Sequence, residues 1–351
     1  MAPPWRGVLC GAVVFLLSSL PGVVVDPPIV DDRIPPNIPA VSALANSIHW
    51  DALKHEVTAD DVKFFEEHGY VIMRDVLRVE AIDIMRKEAE KVCDPQLQDS
   101  YVCRVKQARF RSDIFRDFLL HSPVGTMARS ILQRGADKPL RVLEDGVFGH
   151  TWREYLLTYF SFYHHVDGNG AGVYHTFPRG TPGVSLWVPL QDLDPSTNGG
   201  SVNVFGGGIY PKHCFWGSSG CFVLGRPENM TTPKVNRGDI VLWHPMLLHS
   251  AQPVLASGFT RYVYFSWLVD ADAKSCRTIG CSSQMGFPCC RDDPVAAGRG
   301  IQHACYPQVG PALEDEIRTY IEGSLIDPTG ARDDGPGDVA ACLSSEVTAL
   351  A

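Results

Sequence analysis

A mainly β domain with helices packed around it is the architecture that this sequence predicts. From residue 140 onward, short apolar runs of strand length dominate, separated by Gly, Pro, Asn and Asp. Between residues 58 and 134, apolar side chains recur instead at helical intervals. The 351 residues suffice for one large buried core, and the pattern reads as a single domain with an extension at each end.

Arg6 precedes an uncharged run from 7 to 25, with its most apolar part at 8–20, which predicts a signal segment over 1–25. No A-x-A site follows it. A cleaved signal peptide and an uncleaved membrane anchor, with membrane contact only in the second case, therefore both stand. Pro27, Pro28, Pro35, Pro36 and Pro39 predict an extended linker over 26–47. The folded domain is placed at 48–270. Thr58 as N-cap and Gly69 as C-cap predict a short helix, followed by a strand over 70–73. A second helix is expected through Val92, with Val79, Ile82, Ile84, Met85 and Ala89 on its apolar face. Between Cys93 and Arg134 the sequence is mixed; Ile114, Phe115, Phe118, Leu119 and Leu120 predict helix in the second half.

Strands are expected over 185–190, 201–205, 239–248 and 261–269, the first two separated by the turn-rich stretch 194–200. Residues 271–351 form a Cys-rich extension, with a helix expected over 311–321 and a tail from 327 rich in Gly, Pro and Asp.

The net charge of -9 gives no electrostatic footprint for nucleic acid. Of eleven cysteines, Cys10 lies in the signal segment, leaving Cys93, Cys103, Cys214, Cys221, Cys276, Cys281, Cys289, Cys290, Cys305 and Cys342. An even set in a chain with a signal segment points to disulfides and an oxidising compartment. The cluster 276–305 lacks paired C-x-x-C spacing and has only His303 nearby, which disfavours zinc. Asn229-Met230-Thr231 is a glycosylation sequon. All three features agree on the secretory pathway, secreted or lumenal.

His165-Val166-Asp167 places two metal-binding side chains at i, i+2, a spacing that on a strand projects both to one side. With His249 from a distant strand they compose a 2-His-1-carboxylate set, which holds Fe(II) on one face and leaves positions open. Each piece alone has a plainer reading: H-x-D as surface polar residues beside Gly168-Asn169-Gly170, His249 as a core histidine. Arg261 begins a strand and shares a face with Val263, Phe265 and Trp267. A guanidinium there requires an anion, either a bound dicarboxylate or an acidic side chain of the fold, unless it reaches water at the strand end. His164 falls out of the site by strand parity, and His244 after Trp243 reads as structural.

Several segments together resemble the phytanoyl-CoA dioxygenase family of iron and 2-oxoglutarate enzymes. They are Phe65-x-x-x-Gly69-Tyr70-Val71, H-x-D at His165 and Asp167, Leu186-Trp187-Val188-Pro189-Leu190-Gln191-Asp192, Asn198-Gly199-Gly200-Ser201, Gly238-Asp239, and His249-Ser250 followed by Arg261. The resemblance spans residues 60–270. It implies a double-stranded β-helix (a jelly-roll, cupin-like barrel), Fe(II) held by His165, Asp167 and His249, and 2-oxoglutarate as cosubstrate with its distal carboxylate on Arg261. The activity implied is hydroxylation of a small-molecule, lipid or peptidyl substrate with O2. Acyl-CoA esters do not suit a lumenal enzyme. Two features depart from the family pattern: a long interval between Asp167 and Trp187, and a second histidine, His175, within it. With His175 as first ligand the carboxylate position becomes Phe177, which cannot coordinate, and the chain becomes a degenerate or redirected member; this supports the alternative of a non-catalytic secreted binding domain on a degenerate barrel. A halogenase-type variant gains little, because the Phe177 ring would fill the halide position.

Overall fold

The computed structural model describes residues 42–50, 56–99, 102–135, 137–152, 166–167, 181–205, 230–273 and 309. The signal segment, most of the linker, His164, His165, His175, Phe177, Asn229, nearly all of the Cys-rich extension and the helix expected over 311–321 lie outside the described residues. Among the described residues no helix is long and apolar enough to cross a membrane.

Helix α1 (Ala59–His68) starts and stops where its caps dictate. Thr58 Oγ1 accepts the Asp61 N–H while Asp61 Oδ2 accepts that of Thr58, and Gly69 closes the helix at φ 77°. Strand β1 (Tyr70–Met73) follows directly. Helix α2 (Val79–Asp99) runs beyond the expected end at Val92. Its buried stripe of Ile82, Met85 and Ala89 continues to Cys93, which is disulfide-bonded to Cys103. Val79 is exposed and Ile84 only partly buried: both sit off that stripe. Cys103 lies on β2 (Val102–Lys106), a strand not anticipated because Arg104 and Lys106 break its apolar pattern. Three helices follow: α3 (Ala108–Arg111), α4 (Asp113–His121) and α5 (Val124–Ile131). Ser112 caps α4, and the expected Ile114, Phe115, Phe118, Leu119 and Leu120 are all buried.

The remaining strands are β3 (Leu140–Thr151), β4 (Gly183–Pro189), β5 (Val202–Phe205), β6 (Met230–Thr231), β7 (Ile240–Trp243), β8 (His249–Ala251) and β9 (Thr260–Asp270). They form an antiparallel six-stranded sheet in the order β1-β7-β4-β9-β3-β2 and a three-stranded sheet β6-β5-β8. The strand expected over 239–248 is shorter, β7 alone; a turn over 244–248 follows, and β8 beyond it belongs to the other sheet. Pro245 supplies no N–H, the His244 N–H goes to Gly69 O at 2.8 Å, and the Leu247 N–H turns back to His244 O at 2.8 Å.

Strand alternation gives the large sheet two apolar faces. Val71, Met73, Leu186, Val188, Ile240, Leu242, Tyr262, Tyr264 and Leu268 pack with the helices. Tyr70, Trp187, Val241, Trp243 and Val263 pack on the other side with Val202 and Val204 of the small sheet. The Gly238-Asp239 pair locks β7 to the start of α2. Gly238 O accepts the N–H groups of Val76 and Leu77 at 2.8 and 2.9 Å, and a Cβ at Gly238, where φ is 97°, would stand 2.7 Å from Leu77 O. Buried Asp239 accepts from Arg74 Nη1 at 2.6 Å, Asp75 N at 3.1 Å and Asn236 N at 2.8 Å.

Helices and sheet are also joined by a buried ionic contact. Arg109 Nη1 donates to Asp145 Oδ1, the Arg109 N–H reaches Asp145 Oδ2 at 2.9 Å, and Tyr264 OH donates to the same oxygen at 3.1 Å. Burial, reinforced by the Asp145 charge, holds the Tyr264 pKa well above its ordinary value. Arg109→Met strands the carboxylate in the core and is expected to cost about 3–5 kcal/mol, much of it restored when Asp145→Leu is added. Urea unfolding of the single and double variants checks this; an Arg109→Met loss within ordinary surface-mutation range would contradict it.

Candidate metal and anion site

The turn between β7 and β8 carries the chain from one sheet to the other, and so brings Trp243 and His249 together with ring centroids 4.7 Å apart. His244 sits inside this turn. Its Nδ1 accepts the Met246 N–H at 3.0 Å, and burial pushes its pKa down to about 4. The structural role read for His244 from the sequence agrees with that bond.

Asp167 and His249 are both buried and face each other, with His249 Nε2 3.7 Å from Asp167 Oδ1. Their other polar atoms point elsewhere. Asp167 Oδ2 accepts from Ser185 Oγ at 2.6 Å and from Trp243 Nε1 at 2.8 Å. His249 Nδ1 lies 3.0 Å from Leu247 O, which can only accept, so Nδ1 carries the proton. With Nδ1 so engaged, Nε2 is the ring nitrogen that faces Asp167 Oδ1. Two donors of the types that ligate Fe(II) thus converge, each oriented through its second polar atom, and this donor set fits a metal ion. Among the described residues no group of three metal-ligating side chains occurs. His165 and its alternative His175 lie outside them. Asp167 stands in a turn rather than on a strand, so strand parity does not govern its direction.

Arg261 is buried near the start of β9, six residues before Trp267, the cross-strand partner of Ser185. The structure thus brings Asp167 and His249 together. The seat of Arg261 is the turn at 194–200: Arg261 Nη1 donates to Gly200 O at 3.2 Å. Gly199 and Gly200 have φ of 67° and 78°, and a Cβ on Gly200 would stand 3.0 Å from Arg261 Cδ. Asp194 organises the turn by accepting from Ser196, whose hydroxyl and backbone hydrogen bonds, with Lys234, hold its carboxyl down at about 2. The glycines of Asn198-Gly199-Gly200-Ser201 therefore leave room for the guanidinium stem.

Ser185 and Trp243 escaped the reading of the sequence. A signal was present: a serine inside the apolar run Ser185-Leu186-Trp187-Val188, and a buried indole N–H, each require a polar partner. The partner was not identifiable, because Asp167 is far away in the chain.

No family model matches the sequence, and no curated protein matches it. Solved structures do match. The non-heme alpha-ketoglutarate-dependent carbocyclase SnoK from nogalamycin biosynthesis superposes with a TM-score of 0.52 at 17% identity, covering 72% of this chain and 96% of that one. The epimerase SnoN from the same biosynthesis gives 0.54 at 18% identity, covering 71% and 96%. SnoN in complex with Fe3+, alpha ketoglutarate and nogalamycin RO gives 0.55 at 17%, covering 71% and 97%. These structure neighbours are iron and 2-oxoglutarate-dependent enzymes, and at such identities the likeness is one of fold.

The His244 pKa carries a sign that can be tested. Between pH 6.5 and about 4 the unfolded chain binds a proton that the folded chain excludes, so acidification favours unfolding in that window and not above it. The expected loss across it is roughly 3 kcal/mol. In His244→Asn, whose amide oxygen keeps the acceptor for Met246, urea midpoints measured from pH 7 to 4.5 are expected to fall less steeply. Equal slopes in variant and parent would refute the assignment.

Proposed function

We propose that this chain is an Fe(II)/2-oxoglutarate-dependent dioxygenase of the phytanoyl-CoA dioxygenase kind. In this reading the two sheets are the walls of a double-stranded β-helix, and the catalytic domain is 48–270. The observation that carries the reading is the convergence of Asp167 Oδ1 and His249 Nε2 at 3.7 Å, with Oδ2 and Nδ1 already engaged. Asp167 and His249, with His165 as third ligand, would hold the metal. Bound iron with 2-oxoglutarate supplies oxidation of a C–H bond by O2, coupled to decarboxylation of the ketoacid to succinate.

The chain's own residues supply position and shelter. Ser185 and Trp243 hold Asp167 in one orientation through Oδ2, so that Oδ1 is the oxygen turned toward His249. Leu247 O keeps the His249 ring in the tautomer that can ligate. Arg261 presents a buried guanidinium to the distal carboxylate of the cosubstrate. Trp187, Val241 and Val263 make the wall apolar and exclude water. The Cys93–Cys103 disulfide supports an oxidising compartment, and with it a substrate met in the secretory pathway: a small molecule, a lipid or a peptidyl side chain.

The same 3.7 Å contact would be an ion pair if His249 carried a second proton, which is the form expected of a non-catalytic binding domain. Anaerobic titration of metal-free protein with Fe(II) and 2-oxoglutarate separates the two. The expected result is a visible metal-to-ligand charge-transfer band, abolished by Asp167→Ala or His249→Ala. Arg261→Ala is expected to keep Fe(II) binding and weaken 2-oxoglutarate by about 10- to 100-fold. A folded, disulfide-bonded protein that gives no band leaves the binding domain as the answer.

A further inference from the structure

Strand β4 ends at Pro189, which pairs with Val263 of β9. One residue on, the Leu190 N–H still reaches Tyr262 O at 3.1 Å, and there the backbone ladder stops. A side chain continues it. Gln191 Nε2 donates to Thr260 O at 2.6 Å, and Gln191 Oε1 accepts the Tyr262 N–H at 3.1 Å. In extended backbone the Thr260 C=O and the Tyr262 N–H point to the same edge, so one carboxamide fills both ladder positions flanking Arg261. On the opposite edge, Arg261 is paired with His150 of β3.

Gln191 is itself buried, and the segment after it is tied down on both sides. Asp192 O accepts from Asn198 Nδ2 at 2.9 Å, and Asp192 Oδ1 accepts the Arg237 N–H at 2.8 Å. The same segment leads to Gly200, whose carbonyl takes Arg261 Nη1. The backbone and the head group of Arg261 are thus both fixed from the 190–200 segment.

We propose that Gln191 is a positioning residue: it stands in for a strand beside Arg261 and thereby sets the affinity for the anionic cosubstrate. The inference rests on the dioxygenase reading above, in which Arg261 meets 2-oxoglutarate. Gln191→Leu removes both bonds. Gln191→Glu keeps the acceptor for Tyr262 but sets a carboxylate against Thr260 O, and its near-identical shape guards against misfolding. Both are expected to weaken 2-oxoglutarate about tenfold, read from the anaerobic charge-transfer band, with Fe(II) affinity in the absence of 2-oxoglutarate unchanged. Placed on Arg261→Ala, Gln191→Leu is expected to add no further loss, since both act through one guanidinium. In the unmutated protein the Tyr262 amide is expected to be protected from hydrogen exchange.

An unchanged 2-oxoglutarate affinity in a folded Gln191 variant overturns the proposal. So does a loss that adds fully to that of Arg261→Ala, an equal loss of Fe(II) affinity, or rapid exchange at the Tyr262 amide. Absence of the band in the parent protein overturns the dioxygenase reading and this inference with it; a band indifferent to Gln191 overturns this inference alone.

Discussion

The register between β3 and β9 is the constraint on which the rest of the molecule depends. Apart from a bulge between Val142 and Glu144 of β3, side chains alternate along both strands, so a slip of β9 by one residue would turn its interior groups outward. Arg261, Val263 and Phe265 would then face the helices, and Tyr262 and Tyr264 the interior. The buried contact of Asp145 with Arg109 and Tyr264 opposes any such slip: a carboxylate moved off its cation within the core would lose its charge partner without regaining water. Phe115 and Phe118, packed on the Tyr264 ring, extend the same restraint into helix α4.

With that register fixed, connections rather than strands bring the candidate ligands together. The turn after Trp243 crosses between sheets and delivers His249 beside the indole that bonds Asp167. Its anchor is the His244 N–H on Gly69 O, the C-cap of α1, so a helix end far away in the chain helps place the candidate ligand His249. The turn at 194–200 does the corresponding work for Arg261. Both devices are backbone features held by glycine, proline and short polar side chains.

Much of this was legible in the residues. Thr58 and Gly69 fixed α1, because a cap is a local hydrogen bond or a local φ and needs no distant partner. The alternation in 261–269 placed Arg261 on the face of Val263 and Phe265, because side-chain direction on a strand follows from its period of two. H-x-D, His249 and Arg261 taken together are what suggested a metal and anion site, and of these Asp167 and His249 are found facing each other. Three features were not: the end of β7 at Trp243 and the turn that follows it, the continuation of α2 to Cys93 and beyond, and strand β2. Each depends on a partner distant in sequence, namely Gly69 O, Cys103 and the length of β3.

By itself, then, the sequence determined the local elements, their inward faces and a short set of residues fit to bind a metal and an anion. Tertiary structure alone decided that Asp167 Oδ1 and His249 Nε2 face each other while Ser185, Trp243 and Leu247 hold their other atoms. It also decided that one amide, Gln191, completes the strand edge beside Arg261. The physical reason is common to both. A buried polar atom must find a partner, but which partner it finds depends on how the whole chain closes on itself.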